Sequence, residues 1–197
     1  MALRVAILAS GNGTNFEALT KAFQAGNIPG QEVLLFANHH DAPVLARAKR
    51  LGVPAECFTV KECGSKEAYE QRLLKLLKKY QVDFILLAGY LRIVGPAILA
   101  AYPEKIINLH PALLPKYPGL DSIERAYRAG EKYTGVTVHF IDQELDHGPV
   151  IAQEKVVINP DDTLETLTER VHETEHRLFP KAVSQVLAAE LAKEKQK

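Results

Sequence analysis

Three runs of five apolar residues, Val5 to Ala9, Val33 to Ala37 and Phe84 to Ala88, constrain this chain more than any other feature. Continuous apolar runs of that length read as strands covered on both faces. Each run is followed by a turn and then by helical spacing. After the first, Ser10-Gly11-Asn12-Gly13-Thr14-Asn15 breaks the strand. Phe16, Leu19 and Phe23 then fall on one helical face, with Thr14 or Asn15 as cap and Gly26 as stop. After the second, a helix runs from Asp41, its cap, to Gly52, with Pro43 in its first turn. A short strand near Ala55 to Phe58 leads to a helix whose stripe is Tyr69, Leu73, Leu76, Leu77 and Tyr80, opposite a solvated face of Lys75, Lys78 and Lys79. After the third run, Gly89 to Gly95 leads into a helix ending near Tyr102. Strand and helix in succession predict a parallel sheet with helices on both faces, and such sheets bind ligands outside the strands' carboxyl ends.

The pattern changes past residue 102. Ile106, Ile107 and Leu109 mark a buried strand, and Pro111 pushes His110 into an extended conformation. Residues two apart on a strand share a face, so Asn108 and His110 project together from its carboxyl end, an amide beside an imidazole. Pro115, Pro118 and Gly119 predict a stiff loop that holds a ligand wall. Asp121 to Ala129 reads as a helix. Val136, Val138 and Phe140 then alternate with Thr137 and His139, which predicts a half-covered strand with Thr137 and His139 on its more polar face. Gln143 to Pro149 is a turn, and Val150 to Ile158 its returning, antiparallel strand. The last helix starts near Thr163, and Ala192 to Lys197 reads as a frayed tail. The expected fold is α/β and Rossmann-like: a mostly parallel twisted sheet with helices on both faces and an antiparallel strand pair in the C-terminal half. One compact unit over 1–197 is expected, with phosphate-binding βα units in 1–102 and the remaining chemistry in 103–197.

Composition excludes several classes. The 197 residues are 47% apolar, enough to bury one good core, and 24 Lys and Arg balance 24 Asp and Glu. With no block of one sign, neither nucleic acid nor an anionic membrane is expected as the main partner. Cys57 and Cys63 match neither a zinc knuckle nor a redox pair and read as reduced, structural thiols. Arg4 interrupts the apolar amino terminus, and no apolar run is long enough to span a bilayer, so a soluble cytoplasmic protein is expected.

Two constellations carry chemistry. Gly11-Asn12-Gly13-Thr14-Asn15 joins a strand to a helix start, where free N–H groups and the positive dipole end favour an anion. It lacks the third glycine of a dinucleotide fingerprint and the Lys of a P-loop, so a single phosphate fits better than a pyrophosphate; the alternative is a bare βα turn. Asn108, His110 and Asp146 form the second group if the turn before Gly148-Pro149 folds back over the strand ends. A neutral imidazole titrates near ~6.5 and a neighbouring carboxylate raises that value, so two donors could serve one oxyanion. No serine or cysteine is placed as a nucleophile, which leaves the attacking group to a substrate. The alternative is a loop-satisfying Asn and an incidental His.

His172-Glu173-Thr174-Glu175-His176 matches the zinc pattern H-E-x-x-H. At about 100° per residue, the stripe of Leu164, Leu167, Val171 and Leu178 turns Glu173 to solvent, and no third ligand follows, so no metal is expected. Glu175 instead falls beside the apolar stripe, where a carboxylate needs a partner. His39-His40 read as surface residues with no acid to complete a site. Arg92, at a strand end, reads as a structural ion pair or as a contact to an anionic substrate.

Ser-Gly-Asn-Gly-Thr-Asn, Ala-Gly-Tyr-Leu-Arg-Ile, Asn-Leu-His-Pro-Ala-Leu-Leu-Pro-Lys-Tyr-Pro-Gly and Leu-Asp-His-Gly-Pro-Val, spread over nearly the whole chain, resemble the folate-dependent formyltransferases, and among them the phosphoribosylglycinamide formyltransferase (GAR transformylase) group. The resemblance implies formyl transfer from 10-formyltetrahydrofolate, as co-substrate, to the amine of glycinamide ribonucleotide. It implies that Gly11, Asn12, Gly13, Thr14, Asn15, His172, Glu173, Thr174 and Glu175 hold the ribonucleotide, Glu175 at its glycinamide end. Formyl-folate is implied along Lys66, Leu91, Arg92, Ile93 and Val94 and the loop Asp142, Gln143, Glu144, Leu145 and Asp146, with Asn108 contributing. Asn108 and His110 are implied to stabilise the oxyanion, assisted by Asp146, with Thr137 and His139 in support; Lys66 and Val136 depart from residues common at their positions. The implied partners are the two small-molecule substrates, in a monomer or homodimer. A formyl-folate hydrolase, which usually carries an added domain ahead of this core, a methionyl-tRNA formyltransferase with its further β domain and basic surface, a zinc peptidase and a non-catalytic nucleotide-binding module are the competing readings.

Overall fold

A computed structural model describes residues 2–144 and 146–195. Its elements run β1 (Arg4–Ala9), α1 (Thr14–Gln24), β2 (Gln31–Ala37), α2 (Val44–Leu51), β3 (Ala55–Cys57), α3 (Val60–Cys63), α4 (Lys66–Lys79), β4 (Phe84–Leu87), α5 (Pro96–Ala101), β5 (Ile106–His110), α6 (Ser122–Arg128), β6 (Tyr133–Phe140), β7 (Val150–Val157) and α7 (Leu164–Glu194). One seven-stranded sheet has the order β3-β2-β1-β4-β5-β6-β7. The first five strands are parallel, and β6 pairs antiparallel with both β5 and β7.

The apolar runs form the centre because both faces of β1, β2 and β4 are covered. Val5, Ile7, Leu35 and Leu86 meet Phe16 and Leu19 of α1, Val44 of α2 and the apolar side of α7. Ala6, Leu8, Phe36 and Ile85 meet Tyr69, Leu73 and Leu77 of α4 and Ile98 of α5 on the other face. Two apolar layers on one sheet fix its position, since side chains alternate between faces.

Several expectations need correction. Neither Thr14 nor Asn15 caps α1: Gly13 precedes it in the left-handed region with no side-chain cap, which leaves the first-turn N–H groups free for another acceptor. Asp41 does not cap α2 either; the residue before the helix is Pro43, and Val44 N donates to Gly11 O (3.2 Å). Helix α3 was not expected, and it rests on a capping box between Thr59 and Glu62. Strand β6 is covered on both faces, with Thr137 and His139 fully buried. Its polar side is hidden by the backbone of residues 112–114, which needs hydrogen-bonding rather than apolar partners. Ala192 to Glu194 are helical, continuing α7 past Leu187 and Leu191, which pack on the core. Residues 196–197 of the expected tail lie outside the described residues.

Candidate active site

The order of strand addition reverses between the parallel neighbours β1 and β4, and a doubly wound sheet offers its ligand crevice at such a point. Ser10 ties the two strand ends together, its N–H donating to Gly89 O (3.0 Å) and its Oγ accepting from Leu91 N (2.8 Å). The Gly11 to Asn15 loop lies on this edge. Gly13 takes φ 80° and ψ 28°, and a Cβ there would overlap the Val44 side chain, so glycine answers both a left-handed backbone and a close helix. Asn15 Nδ2 donates to Glu175 Oε2 (2.8 Å), while Asn15 Oδ1 is buried with no partner among the described residues.

Helix α7 sorts the residues from His172 to Glu175 by face. Thr174 and Glu175 are buried, whereas His172 and Glu173 are exposed. Burial pushes the Glu175 carboxyl above the usual range, against the Asn15 hydrogen bond and the nearby His172. Its expected partner is thus Asn15, from the anion loop. His176 is held low by burial, and its Nε2 is buried without a partner among the described residues. Glu173 faces solvent, so the zinc-peptidase arrangement has no inward base, and no group of metal-ligating side chains is found among the described residues.

A second cluster sits on the opposite face of the sheet. Asn108 pairs across β5 and β6 with His139, and His110 with Thr137, so the four side chains share one face. His139 Nδ1 donates to Phe140 O (2.8 Å), which leaves Nε2 to accept from Asn108 Nδ2 (3.1 Å). Burial lowers the pKa of His139, in keeping with a neutral ring. His110 Nε2 donates to Tyr117 O (2.8 Å), and its Nδ1 lies 3.5 Å from Asp146 Oδ2. Asp146, at φ 54°, turns its carboxylate into the cluster, where Oδ2 accepts from Gly119 N (2.8 Å) and Oδ1 from Asn108 Nδ2 (3.5 Å). The structure therefore brings Asn108, His110 and Asp146 together. It also shows their donors bonded to protein acceptors.

Thr137 fixes the loop beyond His110: its hydroxyl donates to Ala112 O (2.6 Å) and accepts from Leu114 N (3.1 Å) and Gln153 Nε2 (2.9 Å). On the crevice rim, Leu91 and Ile93 are 70% and 85% exposed, a display of apolar side chains that a soluble fold tolerates at a binding surface. Arg92 makes no ion pair among the described residues: its guanidinium stands over the Tyr69 ring (5.2 Å), and Tyr69 OH bonds Tyr90 OH (2.7 Å). Lys66, one turn before Tyr69 in α4, is exposed, and Val94 is half-buried against the second core. Asp142, Gln143 and Glu144 are exposed, with Asp142 Oδ1 accepting from Glu144 N (2.9 Å); Leu145 lies outside the described residues. His39 and His40 are exposed, but an acid does reach His40, whose Nε2 meets Glu62 Oε1 at 2.9 Å. Cys57 and Cys63 are free.

The sequence reading missed Ser10, Arg47, Tyr117 and Gln153. Arg47 and Gln153 act on residues 35 and 39 positions away in the chain, and Tyr117 contributes a carbonyl, which no side-chain pattern displays.

A loop of free backbone N–H groups and an amide–imidazole–carboxylate cluster lie on one edge of a doubly wound α/β sheet, the edge at which such sheets bind ligands. The chain belongs to the formyl transferase family, whose sequence model matches residues 3–183. It is 42% identical to a phosphoribosylglycinamide formyltransferase of Bacillus subtilis (strain 168), over 93% of this chain and 94% of that one. It is 40% identical, over 93% of its length, to the trifunctional purine biosynthetic protein adenosine-3 of Drosophila melanogaster, of which it spans 14%. Its fold superposes on glycinamide ribonucleotide transformylase 1 from Geobacillus kaustophilus with a TM-score of 0.92 and 48% identity, covering 95% of this chain and 100% of that one.

Proposed function

We propose that this chain transfers the formyl group of 10-formyltetrahydrofolate to the amine of N1-(5-phospho-D-ribosyl)glycinamide, the formyl transfer of purine biosynthesis. The observation that carries the reading is the convergence of Asn108, His110 and Asp146 at the same carboxyl edge of the parallel strands that bears a loop of free backbone N–H groups. Gly11 to Asn15 receive the phosphate, and the His172 to Glu175 segment, through buried Glu175, faces the glycinamide end. The unpaired Asn15 Oδ1 fits a ligand that brings a donor, such as a sugar hydroxyl or an amine. Formyl-folate lies along Lys66, the segment Leu91 to Val94 with its exposed Leu91 and Ile93, and the loop from Asp142 to Asp146.

The glycinamide amine attacks the formyl carbon. Asn108 and His110 donate to the developing oxyanion, which requires the Asn108 amide to leave His139 or Asp146 and the His110 ring to exchange a protein partner for the formyl oxygen. Asp146 orients His110 and assists proton movement to the departing folate nitrogen, and the buried, neutral His139 with Thr137 keeps the frame in place. Alignment of two bound substrates supplies much of the acceleration, with no covalent enzyme intermediate. The reading takes residues 1–197 as one unit, with phosphate binding in 1–102 and catalysis and folate binding in 103–197. It places the protein in the cytoplasm, as monomer or homodimer, with no nucleic acid or membrane as partner; no helix among the described residues is long and apolar enough to cross a membrane.

The test mixes protein, 10-formyltetrahydrofolate and glycinamide ribonucleotide, then omits each substrate in turn. Formylated ribonucleotide and tetrahydrofolate are expected only with both present. Tetrahydrofolate release at an equal rate without the ribonucleotide would replace this reading with a hydrolase.

A further inference from the structure

The Gly11 to Asn15 loop is held from behind by α2, and one side chain dominates that hold. Arg47 Nε donates to Asn12 O (2.7 Å), one terminal nitrogen donates to Asn12 Oδ1 (2.6 Å), and the other pairs with Glu17. Glu17 is in turn bonded by Lys21 and Arg50, and these cations, Lys21 first and Arg47 next, pull its carboxyl down to about 2. It stays ionised and keeps the guanidinium fixed. The carbonyls on either side of Asn12 are tied as well: Gly11 O accepts from Val44 N (3.2 Å) and Gly13 O from Glu17 N (3.0 Å).

A trans peptide points its C=O and the following N–H in opposite directions. Three carbonyls drawn back by α2 and α1 therefore turn the N–H groups of Asn12, Gly13 and Thr14 outward together. None of those three donates to another described residue. Without the Asn12 O bond, the Asn12–Gly13 peptide is free to rotate, and the Gly13 N–H leaves the shared direction. We infer that Arg47 is a positioning residue for substrate phosphate, acting through Asn12 to aim the anion loop, and that it decides the preference for a phosphorylated over an unphosphorylated glycinamide riboside. The inference rests on the proposed formyl transfer. Arg47 reaches the loop from its rear, with three-quarters of its side chain covered, so it acts on the loop's shape rather than as an open surface charge.

The test compares wild type, Arg47→Met and Arg47→Lys with glycinamide ribonucleotide and with its phosphate-free riboside, formyl-folate being varied separately. Loss of charge-assisted bonds to the loop is expected to raise KM for the ribonucleotide about 10- to 100-fold. The kcat at saturation, the KM for formyl-folate and kcat/KM for the riboside are expected to stay near wild type. Lysine keeps the charge but cannot span Asn12 O, Asn12 Oδ1 and Glu17 together, so Arg47→Lys is expected to retain most of the KM increase. Full rescue by lysine, or equal losses for ribonucleotide and riboside, would overturn the positioning role. If Arg47→Met does not fold, judged by its thermal midpoint, Arg47→Lys decides alone. A wild type that turns over neither substrate refutes the formyl-transfer reading instead.

Discussion

The two halves of the crevice are prepared in opposite ways. Around the anion loop the carbonyls are tied back and the N–H groups of Asn12, Gly13 and Thr14 have no partner among the described residues. Around Asn108 and His110 the donors are already spent, on His139, Asp146 and Tyr117. The first half is set before a ligand arrives, whereas the second must trade protein partners for a substrate oxygen. Such a division suits a reaction in which one substrate is anchored by a group that does not react and the chemistry occurs at a centre that changes charge.

The comparison breaks most visibly at Asp146. Asp146→Asn keeps the shape but removes the carboxylate that faces His110 and accepts from Gly119 N and Asn108. It is expected to lower kcat by about 10²- to 10⁴-fold with KM for the ribonucleotide nearly unchanged, as measured by steady-state formyl transfer. A parallel rise in that KM would mean that the two halves are not separate. On the anchoring side, Glu175→Gln preserves the bond from Asn15 if its amide oxygen takes the carboxylate's place, but it lacks the charge. The expected result is a KM for the ribonucleotide raised about tenfold and a KM for formyl-folate left alone. Unchanged kinetics with the ribonucleotide would remove Glu175 from the site.

A third change should leave both halves untouched. Glu32, at the amino end of β2, turns its carboxyl against α1, and burial raises its pKa to about 8, opposed by Thr20. The Thr20 hydroxyl lies 2.9 Å from Phe16 O and 3.1 Å from Glu32 Oε1, and its one proton can serve only one of these acceptors at a time, so it offsets little of the burial. A folded pKa above the unfolded one means that the folded state binds the proton more tightly. That contribution is complete below about 4.5 and is lost as pH rises through about 8. Urea unfolding at pH 5 and pH 9 should show stability falling by on the order of 1–3 kcal/mol across that window, a slope that Glu32→Gln flattens while formyl transfer at neutral pH is unaffected. The same slope in the variant would assign the pH dependence elsewhere.

The parts of this molecule that were legible in sequence are those built from neighbours in the chain. Apolar runs announced β1, β2 and β4, and the two-residue period placed Asn108 beside His110. The face of α7 followed from its stripe, which put Glu175 inside and Glu173 outside. What escaped was set by distant or backbone partners. Asn15 looked like a helix cap because its amide could serve one, but Glu175, 160 positions away, claims it. Thr137 and His139 looked half-exposed because their polarity implied water, when Thr137 bonds the backbone of a loop laid over β6 and His139 bonds Phe140 O and the Asn108 amide. The Arg47 hold on Asn12 crosses 35 positions and has no period or motif to mark it.

The most direct test of the divided crevice uses His110→Ala. Calorimetric binding of glycinamide ribonucleotide and the single-turnover rate of formyl transfer are measured on the same preparation. The rate is expected to fall by about 10²- to 10⁴-fold while Kd stays within about twofold of wild type. A Kd weakened in proportion to the rate would contradict the account, because the imidazole would then be part of the anchor.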